Sequence, residues 1–191
     1  GLLNVHIWRD GNNTFHLKGL LADDYTFNAG NTSGWNVASH PNITWRVTNG
    51  TLRATVVSTG GYSYIVRNGI SLNDTNTTFE YDVRFMNGAR DGGFVYRGRV
   101  LYVSPNRCGW DDASPAYYAA TNQTTGAWHH VVINVRDGDP YLKSDLFVNN
   151  APVFRDEPIQ STNWTTNTFG LLSPYSNANS YVGWGTTRLR D

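Results

Sequence analysis

The fold class is decided by one stretch of strict alternation, Phe79-Glu80-Tyr81-Asp82-Val83-Arg84-Phe85. Every odd position carries an apolar or aromatic side chain, and every even position carries a charge. Because successive side chains of a β-strand point to opposite faces of the sheet, this pattern predicts a strand with one buried face. The charged side chains are therefore expected on the outer face of a sheet.

Two more stretches predict strands of the same kind. Residues 128–135 favour an inner face that includes His129, with His130 and Asn134 outside. In residues 92–97 the alternation buries the aromatic positions and turns Arg97 outward. If the three strands are neighbours, one sheet surface presents Glu80, Asp82, Arg84, Arg97, His130 and Asn134.

The rest of the composition points the same way. The 191 residues suit one domain and include 21 Asn and 20 Thr but only 2 Lys and 2 Glu. Helices favour Lys and Glu, whereas strands and turns favour Thr, aromatics, Asn and Gly. Gly, Asn, Asp or Pro separate most of the strand candidates, which are 43–47, 51–57, 62–67, 77–86, 92–97, 100–104, 115–120, 127–136, 144–149, 168–172 and 180–189. Twelve to fourteen short strands in one domain predict an all-β fold, a two-sheet antiparallel β-sandwich or jelly roll.

Charge excludes some classes of partner. The 15 basic and 15 acidic residues cancel, which argues against a nucleic-acid or anionic-membrane partner. No apolar run approaches the about 20 residues that a membrane span needs. The single cysteine, Cys108, excludes an internal disulfide and a cysteine-based zinc site. We expect Cys108 to be a small buried hydrophobe rather than a reactive thiol.

Asn-x-Ser/Thr sequons are more frequent than chance placement would give. They begin at Asn12, Asn31, Asn42, Asn49, Asn73, Asn76, Asn122 and Asn163. The excess favours a secreted or cell-surface protein that carries N-glycans. The alternative is that β-turns simply favour Asn and Thr.

Several motifs, in order, resemble a known family. Residues 125–135, followed by 145–153, resemble the G-x-W-H-x-V … L-x-V-N-G-x-x-V hairpin of laminin-G-like and other concanavalin A-like jelly rolls. Residues 92–97, followed by 101–103, are similar to their G-G-hydrophobic-x-x-R … Y-x-V pair, and 169–172 resemble their G-x-I-G-L strand.

The start of the chain extends this resemblance. Residues 21–27, 34–37 and 50–52 look like the first strands of such domains, so the jelly roll is expected over 21–191 and an N-terminal β extension over 1–20. The resemblance implies a carbohydrate-binding module, or the similar domain fused to some glycoside hydrolases and lyases.

The resemblance also raises the question of calcium. Many of these folds hold a structural Ca²⁺ near the first and last strands, using an acidic residue of the last strand. Residues 180–189 contain no carboxylate, but Asp23 and Asp24 remain near the first strand. Because loop carbonyls and waters also bind hard cations, a calcium site at these two residues is kept as an expectation.

Catalysis has weaker support in the sequence. Glucanases of this fold use an E-x-D-x-x-E strand with paired carboxylates. Glu80 and Asp82 begin this pattern, but no second Glu follows, and Glu157 is expected in a proline-flanked loop. The lyase motifs of the fold are not recognisable. The pair His129 and His130 is a candidate base or metal ligand, although in the resembling families this position is commonly structural.

Binding has more support. Sugars stack their apolar faces on aromatic rings while polar side chains bond their hydroxyls. The segment 104–118 is long and aromatic, and Trp110, Tyr117 and Tyr118 are candidates for the rim of a site. With the outward residues above, the predicted carbohydrate-binding set is Glu80, Asp82, Arg84, Arg97, Trp110, Tyr117, Tyr118 and His130. The opposing interpretations are aromatics that cap the core and a solvated, ion-paired sheet face.

The sequence therefore predicts a secreted jelly roll that binds a polysaccharide or glycan without cleaving it. The first alternative is a polysaccharide lyase or glycoside hydrolase of the same fold. The second is a structural subunit of a glycosylated extracellular filament or surface layer. In that case the alternating run at residues 3–8 donates a strand to a neighbouring copy. A local hairpin with residues 14–18, joined by the turn-forming residues 10–13, is the simpler reading of the same segment.

Overall fold

The computed structural model describes residues 6–9, 15–18, 21–37, 39–58, 62–70, 72, 76–90, 92–111, 119–161, 166–173 and 178–190. These residues form seventeen strands and one short 3-10 helix, Phe27–Ala29. The strands are β1 (His6–Arg9), β2 (Phe15–Lys18), β3 (Leu21–Tyr25), β4 (Trp35–Val37), β5 (Ile43–Thr48), β6 (Thr51–Val56), β7 (Tyr64–Arg67), β8 (Thr77–Met86), β9 (Gly92–Tyr96), β10 (Arg99–Val103), β11 (Arg107–Trp110), β12 (Ala119–Ala120), β13 (Trp128–Arg136), β14 (Leu142–Val148), β15 (Ala151–Ile159), β16 (Phe169–Leu172) and β17 (Tyr181–Arg190). No helix in the described ranges is long and apolar enough to span a membrane.

Two antiparallel sheets make up the body of the protein, as predicted. The seven-stranded sheet has the order β12-β11-β10-β9-β16-β7-β4. The eight-stranded sheet has the order β15-β14-β13-β8-β17-β6-β5, with β3 paired to β17. The chain thus crosses repeatedly between the sheets, and strands that are adjacent in sequence, such as β8 and β9, lie in different sheets.

The core lies between the two sheets and follows the predicted alternation. In β8 the odd positions are buried, and Phe79 contacts Phe94 of the other sheet with ring centroids 4.5 Å apart. In β13, His129, Val131, Ile133 and Val135 are buried. The strict period of two therefore identified the inner face of both strands correctly.

The last strand, β17, runs through the middle of the eight-stranded sheet. Val182 and Trp184 are fully buried, and Trp45 of β5 stacks on Trp184 with ring centroids 5.4 Å apart. Because side chains alternate along the strand, the intervening Gly183 and Gly185 belong to the outer face. The centre of that face thus has no side chain at two positions.

A tight turn sets the register of β5 and β6. Asn49 and Gly50 both have positive φ, 50° and 69°, which is the geometry of a two-residue type I′ hairpin. The turn places Thr48 opposite Thr51 and Arg46 opposite Arg53. The register of these two strands is therefore encoded locally.

One expectation about loops is wrong. Glu157 lies in β15, opposite Ser144 of β14, and not in a loop. Pro158 did not prevent a strand because β15 is the edge strand, where a missing N–H need not break a ladder hydrogen bond. Residues 107–110 of the aromatic segment 104–118 form β11.

Cys108 is a buried side chain, as expected. It is 0% exposed, and burial raises the pKa of its thiol to about 11. A thiol with a raised pKa carries little thiolate at neutral pH and is a poor nucleophile. The prediction of a packing role is confirmed.

The N-terminal strands β1 and β2 pair with each other. His6 lies opposite Lys18 and Arg9 lies opposite Phe15, so the two runs form a hairpin. The turn residues 10–13 lie outside the described part of the chain. β3, in contrast, joins the eight-stranded sheet through β17. The domain boundary at residue 20 and self-association through residues 1–20 stay predictions.

Candidate functional site

The outer face of the eight-stranded sheet brings together four of the predicted site residues. In β8 the partly buried Glu80, Asp82 and Arg84 alternate with the core residues. β13 pairs with β8 so that Trp128 lies opposite Arg84 and His130 lies opposite Asp82. We call the surface formed by Asp82, Arg84, Trp128 and His130 the Trp128 face.

Asp82 and His130 form a polar pair on this face. Asp82 Oδ1 lies 2.9 Å from His130 Nδ1, and the side chains are 41% and 37% exposed. The hydrogen bond favours the tautomer in which Nδ1 carries the proton. Both side chains therefore have fixed positions and remain open to solvent.

Trp128 supplies an aromatic surface beside this pair. Its side chain is 43% exposed, and the Arg84 guanidinium carbon lies 4.7 Å from its ring centroid. A Cβ at Gly183 or Gly185 would lie 3.9 Å or 3.7 Å from the Trp128 ring. The ring therefore reaches across β8 to the two glycines, and any larger side chain there would crowd it.

An open groove runs along the ring. It has a volume of about 480 Å³ and is lined by Thr26, Phe27, Asn28, Gly50, Thr51, Asp82, Trp128 and Gly185. Hydroxyl, amide, carboxylate and aromatic groups thus converge on one groove. An aromatic surface with a few convergent polar groups is the usual composition of a small-ligand or sugar site.

Arg97 does not join this face, and the expectation that it would is wrong. It follows β9, which belongs to the seven-stranded sheet, and it is only 9% exposed. One of its guanidinium nitrogens donates a hydrogen bond to the Leu72 carbonyl at 2.8 Å. The turn after β9, where Arg97 has a φ of 48°, redirects its side chain away from the predicted alternation.

The rim position predicted for Trp110 is also wrong. Trp110 is 2% exposed, and its Nε1 donates to Ser144 Oγ at 2.8 Å. This hydrogen bond joins β11 of one sheet to β14 of the other. Tyr117 and Tyr118 lie outside the described residues, so their place at a rim stays a prediction.

His129 has a structural environment. It is 4% exposed, its Nε2 lies 2.8 Å from the Thr124 carbonyl oxygen, and its Nδ1 lies 3.0 Å from the Asn149 amide nitrogen. Both ring nitrogens are thus occupied by protein partners, with Nδ1 as the acceptor and Nε2 as the donor. The structural interpretation of this histidine fits its contacts.

The expected calcium residues lie in β3. The backbone register places Asp24 opposite Arg188 and Asp23 opposite Leu189 of β17. The side chains of Asp23 and Asp24 lie outside the described part of the structure. In that part, no three His, Cys, Asp or Glu side chains cluster in a way that would hold a metal. The calcium site therefore stays a prediction.

Five sequon asparagines fall in the described residues. Asn31, Asn49, Asn76 and Asn122 are exposed, and Asn42 is half-buried. Asn12, Asn73 and Asn163 lie outside the described ranges. The exposed positions are accessible to a glycan, while modification itself stays a prediction.

The opposite outer face, on the seven-stranded sheet, was not predicted. Tyr62 and Tyr64 are 39% and 50% exposed, and Tyr62 packs on Tyr102 with ring centroids 5.9 Å apart. Tyr102 donates to Asp111 Oδ2 at 2.9 Å, and burial, with this hydrogen bond, raises the pKa of its phenol. We call the surface of Tyr62, Tyr64 and Tyr102 the tyrosine face. The only sign of this face in the sequence was the spacing of Tyr62 and Tyr64, which are two positions apart and would share one side of a strand.

A second groove lies on the tyrosine face. It has a volume of about 420 Å³ and is lined by Tyr64, Val66, Val95, Gly98, Val100, Thr166, Thr168 and Leu172. The lining is mainly apolar and contains no charged side chain. The two outer faces thus offer ligands different chemistry.

No family model matches the chain. No curated protein matches it either. Among solved structures, a sialidase aligns with 91% of this chain at a TM-score of 0.63 and 11% identity. The chain spans only 19% of the length of that sialidase.

Two other solved structures are similar over nearly their whole length. Domain 4 of AbnA, an extracellular arabinanase from Geobacillus stearothermophilus in complex with arabinotriose, gives a TM-score of 0.61 at 13% identity, with 91% of this chain and 93% of that chain covered. SCLam, a non-specific endo-beta-1,3(4)-glucanase, gives 0.62 at 10% identity, with 90% of each chain covered. At these identities the likeness shows the fold, and it confirms the predicted two-sheet jelly roll.

Proposed function

We propose that this concanavalin A-like jelly roll is an extracellular domain that binds carbohydrate at the Trp128 face without cleaving it. The observation that carries the proposal is the half-exposed Trp128 ring beside the Asp82–His130 pair, over a groove of about 480 Å³. The arabinotriose complex of a domain with the same fold supports it.

The geometry fits the physical requirements of sugar recognition. An exposed indole ring stacks against the apolar C–H face of a pyranose or furanose. Asp82, His130 and Asn28 supply acceptors and donors for hydroxyl groups. The glycines of β17 allow the Trp128 ring to lie close to the sheet. Stacking provides affinity, and the polar groups provide orientation.

A glycan array followed by titration calorimetry tests the proposal. We expect a saccharide that binds the full chain and binds Trp128→Ala at least about tenfold more weakly, because most stacking is lost. Trp128→Phe should retain part of the affinity. Tyr64→Ala, on the other face, is the matched control and should bind like the unmodified protein. Loss of binding in Tyr64→Ala with normal binding by Trp128→Ala would assign the site to the tyrosine face instead.

The Asp82–His130 pair favours a second candidate, a glycan-degrading enzyme. A histidine oriented by a carboxylate is a common general base, and Glu80 lies two residues before Asp82 on the same strand. Reducing-sugar and absorbance assays over a polysaccharide panel test this candidate. Turnover that disappears in Glu80→Gln or His130→Ala would replace the binding-only proposal.

The separate β1–β2 hairpin motivates a third candidate, a subunit of an extracellular assembly. A two-stranded hairpin alone is marginally stable in water, so a partner surface would stabilise it. Deleting residues 1–12 should then abolish assembly, with rescue by the 1–12 peptide. An unchanged oligomeric state in material that assembled before the deletion would exclude this candidate.

A further inference from the structure

We infer that the ligand of the Trp128 face is an acidic saccharide whose carboxylate or sulfate groups bind a row of three arginines, Arg46, Arg53 and Arg84. This inference rests on the proposed function and names the chemical class of its ligand. None of the sequence patterns identified the row, because β17, the last strand of the chain, lies between the β5–β6 hairpin and β8.

The sheet register aligns the row directly across the strands. Arg46 of β5 lies opposite Arg53 of β6, and Arg53 lies opposite Gly183 of β17. Gly183 also lies opposite Arg84 of β8, and Arg84 lies opposite Trp128 of β13. Five neighbouring strands therefore contribute one position each to a line that spans about 19 Å, at about 4.8 Å per strand.

Alternation places the row on the outer face. In β6 the neighbours of Arg53, Leu52 and Ala54, are fully buried, so Arg53 points away from the core. In β5 Arg46 is exposed, and it alternates with Trp45 and Val47, which pack against the core. The three guanidinium groups thus share the surface that carries Trp128.

The row has no compensating charge of its own. Arg46 and Arg53 face each other directly, and like charges in this position destabilise a sheet. Within the described part of the chain, no ion pair or hydrogen bond involves Arg46, Arg53 or Arg84. The nearest carboxylate along β8, Asp82, is already bonded to His130. An external anion would remove the repulsion between the arginines.

Two of the arginines are held in place by aromatic rings. The Arg53 guanidinium carbon lies 4.9 Å from the Tyr181 ring centroid, and that of Arg84 lies 4.7 Å from the Trp128 ring centroid. Their Nε atoms are buried and have no hydrogen-bond partner. Stacking fixes the planes of the guanidinium groups at a small entropy cost, and the planar fork matches the geometry of a carboxylate or sulfate.

A groove next to the row has the right composition. It has a volume of about 450 Å³ and is lined by Thr44, Arg46, Thr48, Arg53, Thr55, Val57, Asn87, Asn179 and Tyr181. The lining contains hydroxyl, amide and guanidinium groups but no carboxylate. Gly183, between Arg53 and Arg84, adds no side chain that would separate this groove from Trp128. A chain of sugars therefore has a continuous path from Arg46 to Trp128.

The surroundings favour a saccharide over a nucleic acid. The net charge of the chain is zero, and the row holds only three cations. Nucleic-acid binding needs a wide positive potential, because phosphate neutralisation supplies most of the affinity. Threonines and a tyrosine beside a short cationic row suit an uncharged polyhydroxyl backbone with spaced acidic groups instead.

Titration calorimetry with defined polymers tests the inference. Polygalacturonate supplies carboxylates, chondroitin sulfate supplies both sulfates and carboxylates, and dextran is the neutral probe. We expect the full chain to bind at least one acidic polymer at least about tenfold more tightly than dextran, and Arg53→Gln to lose about tenfold of that affinity. Arg53→Lys should lose part of it, because the charge stays and the fork is lost.

The matched control is Arg155→Gln. Arg155 is an exposed arginine whose guanidinium carbon lies 5.0 Å from the Phe147 ring centroid, at the far edge of the same sheet. It should leave binding unchanged. An equal loss of affinity in Arg155→Gln and Arg53→Gln would overturn the arginine row and indicate diffuse electrostatic attraction instead. Circular dichroism and urea denaturation of each variant verify that it folds.

The outcomes separate the two proposals. Equal binding of dextran and the acidic polymers, unaffected by Arg53→Gln but weakened by Trp128→Ala, would overturn the acidic class and leave carbohydrate binding intact. No binding of any polymer, together with no binding on a glycan array, would overturn both. A third outcome is that Trp128→Ala still binds acidic polymers tightly while Arg53→Gln does not bind them. It would support the arginine row as the binding site and exclude Trp128 from it.

Discussion

The outer face of the eight-stranded sheet carries arginines and a tryptophan, whereas the outer face of the seven-stranded sheet carries tyrosines and an apolar cluster. On the first, Arg46, Arg53 and Arg84 make no ion pair within the described residues. On the second, Val95, Tyr102 and Leu172 form a small hydrophobic cluster of their own. The same backbone architecture thus supports one polar face, which can hold an anion, and one face stabilised by its own side chains.

Glycines have different roles on the two faces. A Cβ at Gly170, in the seven-stranded sheet, would collide with the backbone carbonyl oxygen of Ile65. A Cβ at Gly183, in the eight-stranded sheet, would lie 3.0 Å from the Thr51 methyl group, 3.8 Å from the Leu52 carbonyl oxygen and 3.9 Å from the Trp128 ring. Close backbone approach requires the first glycine, whereas the second lies closest to a side-chain methyl group that can move.

The largest expected effect comes from adding a methyl group at one glycine of each sheet. Gly170→Ala should lower the free energy of unfolding by about 3 kcal/mol, because two strands must move apart. Gly183→Ala, the matched change on the other face, should cost no more than about 1 kcal/mol, because a side-chain methyl can move. Urea denaturation measures both. Equal losses would show that the two glycines have the same structural role.

The second effect is a loss of folding stability at alkaline pH, which we expect to arise at Cys108 in the seven-stranded sheet. The pKa of Cys108, in β11, is raised to about 11 by burial, above its usual 9.0. A raised folded-state pKa favours the protonated thiol, so its contribution is complete below pH 9 and is lost as pH rises to about 11. The loss should amount to at most about 3 kcal/mol.

Stability against pH compares the protein with Cys108→Ala. The variant should be less stable at pH 8 and should lose less stability between pH 9 and 11. Asp82→Asn, on the other face, is the control and should follow the unmodified protein above pH 9. Parallel curves for Cys108→Ala and the unmodified protein would contradict this assignment.

The third prediction fills each groove in turn. A Cβ at Gly185 lies 3.2 Å from Asp82 Cβ and 3.7 Å from the Trp128 ring, so Gly185→Val should obstruct the groove. We expect saccharide affinity to fall about tenfold, which is about 1.4 kcal/mol. Val100→Leu, which enlarges a side chain of the tyrosine-face groove, should leave affinity unchanged. Calorimetry with the saccharide found on the array gives both affinities. A loss of affinity in Val100→Leu but not in Gly185→Val would assign the binding site to the tyrosine face.

The smallest effect concerns the Asp82–His130 pair. Because both side chains are more than a third exposed, Asp82→Asn should change the free energy of unfolding by less than about 1 kcal/mol. Its effect on saccharide affinity should exceed its effect on stability. A loss of stability without any change in saccharide affinity would show that the Asp82–His130 pair has a structural role.

Local patterns predicted much of the Trp128 face. The alternation in residues 79–85 and 128–135 assigned Asp82, Arg84 and His130 to an outer surface, and these side chains do share one. The same logic failed for Arg97, and the aromatic composition of residues 104–118 wrongly suggested a rim position for Trp110. Arg97 lies in the turn after β9 and has a positive φ, and Trp110 ends a four-residue strand and donates a hydrogen bond to Ser144 of the other sheet. Short strands and turns carry too few positions for a period of two to determine direction.

The sequence by itself determined the all-β class, the buried faces of β8 and β13, and the turn that pairs β5 with β6. These depend on alternation and on the backbone preferences of Asn and Gly, which act over a few residues. Only the tertiary structure decided which strands are neighbours. β17 lies between β6 and β8, and this insertion aligns Arg53, Gly183 and Arg84 in one row. Strand order depends on how two sheets bury their apolar faces together, and no local pattern records that long-range choice.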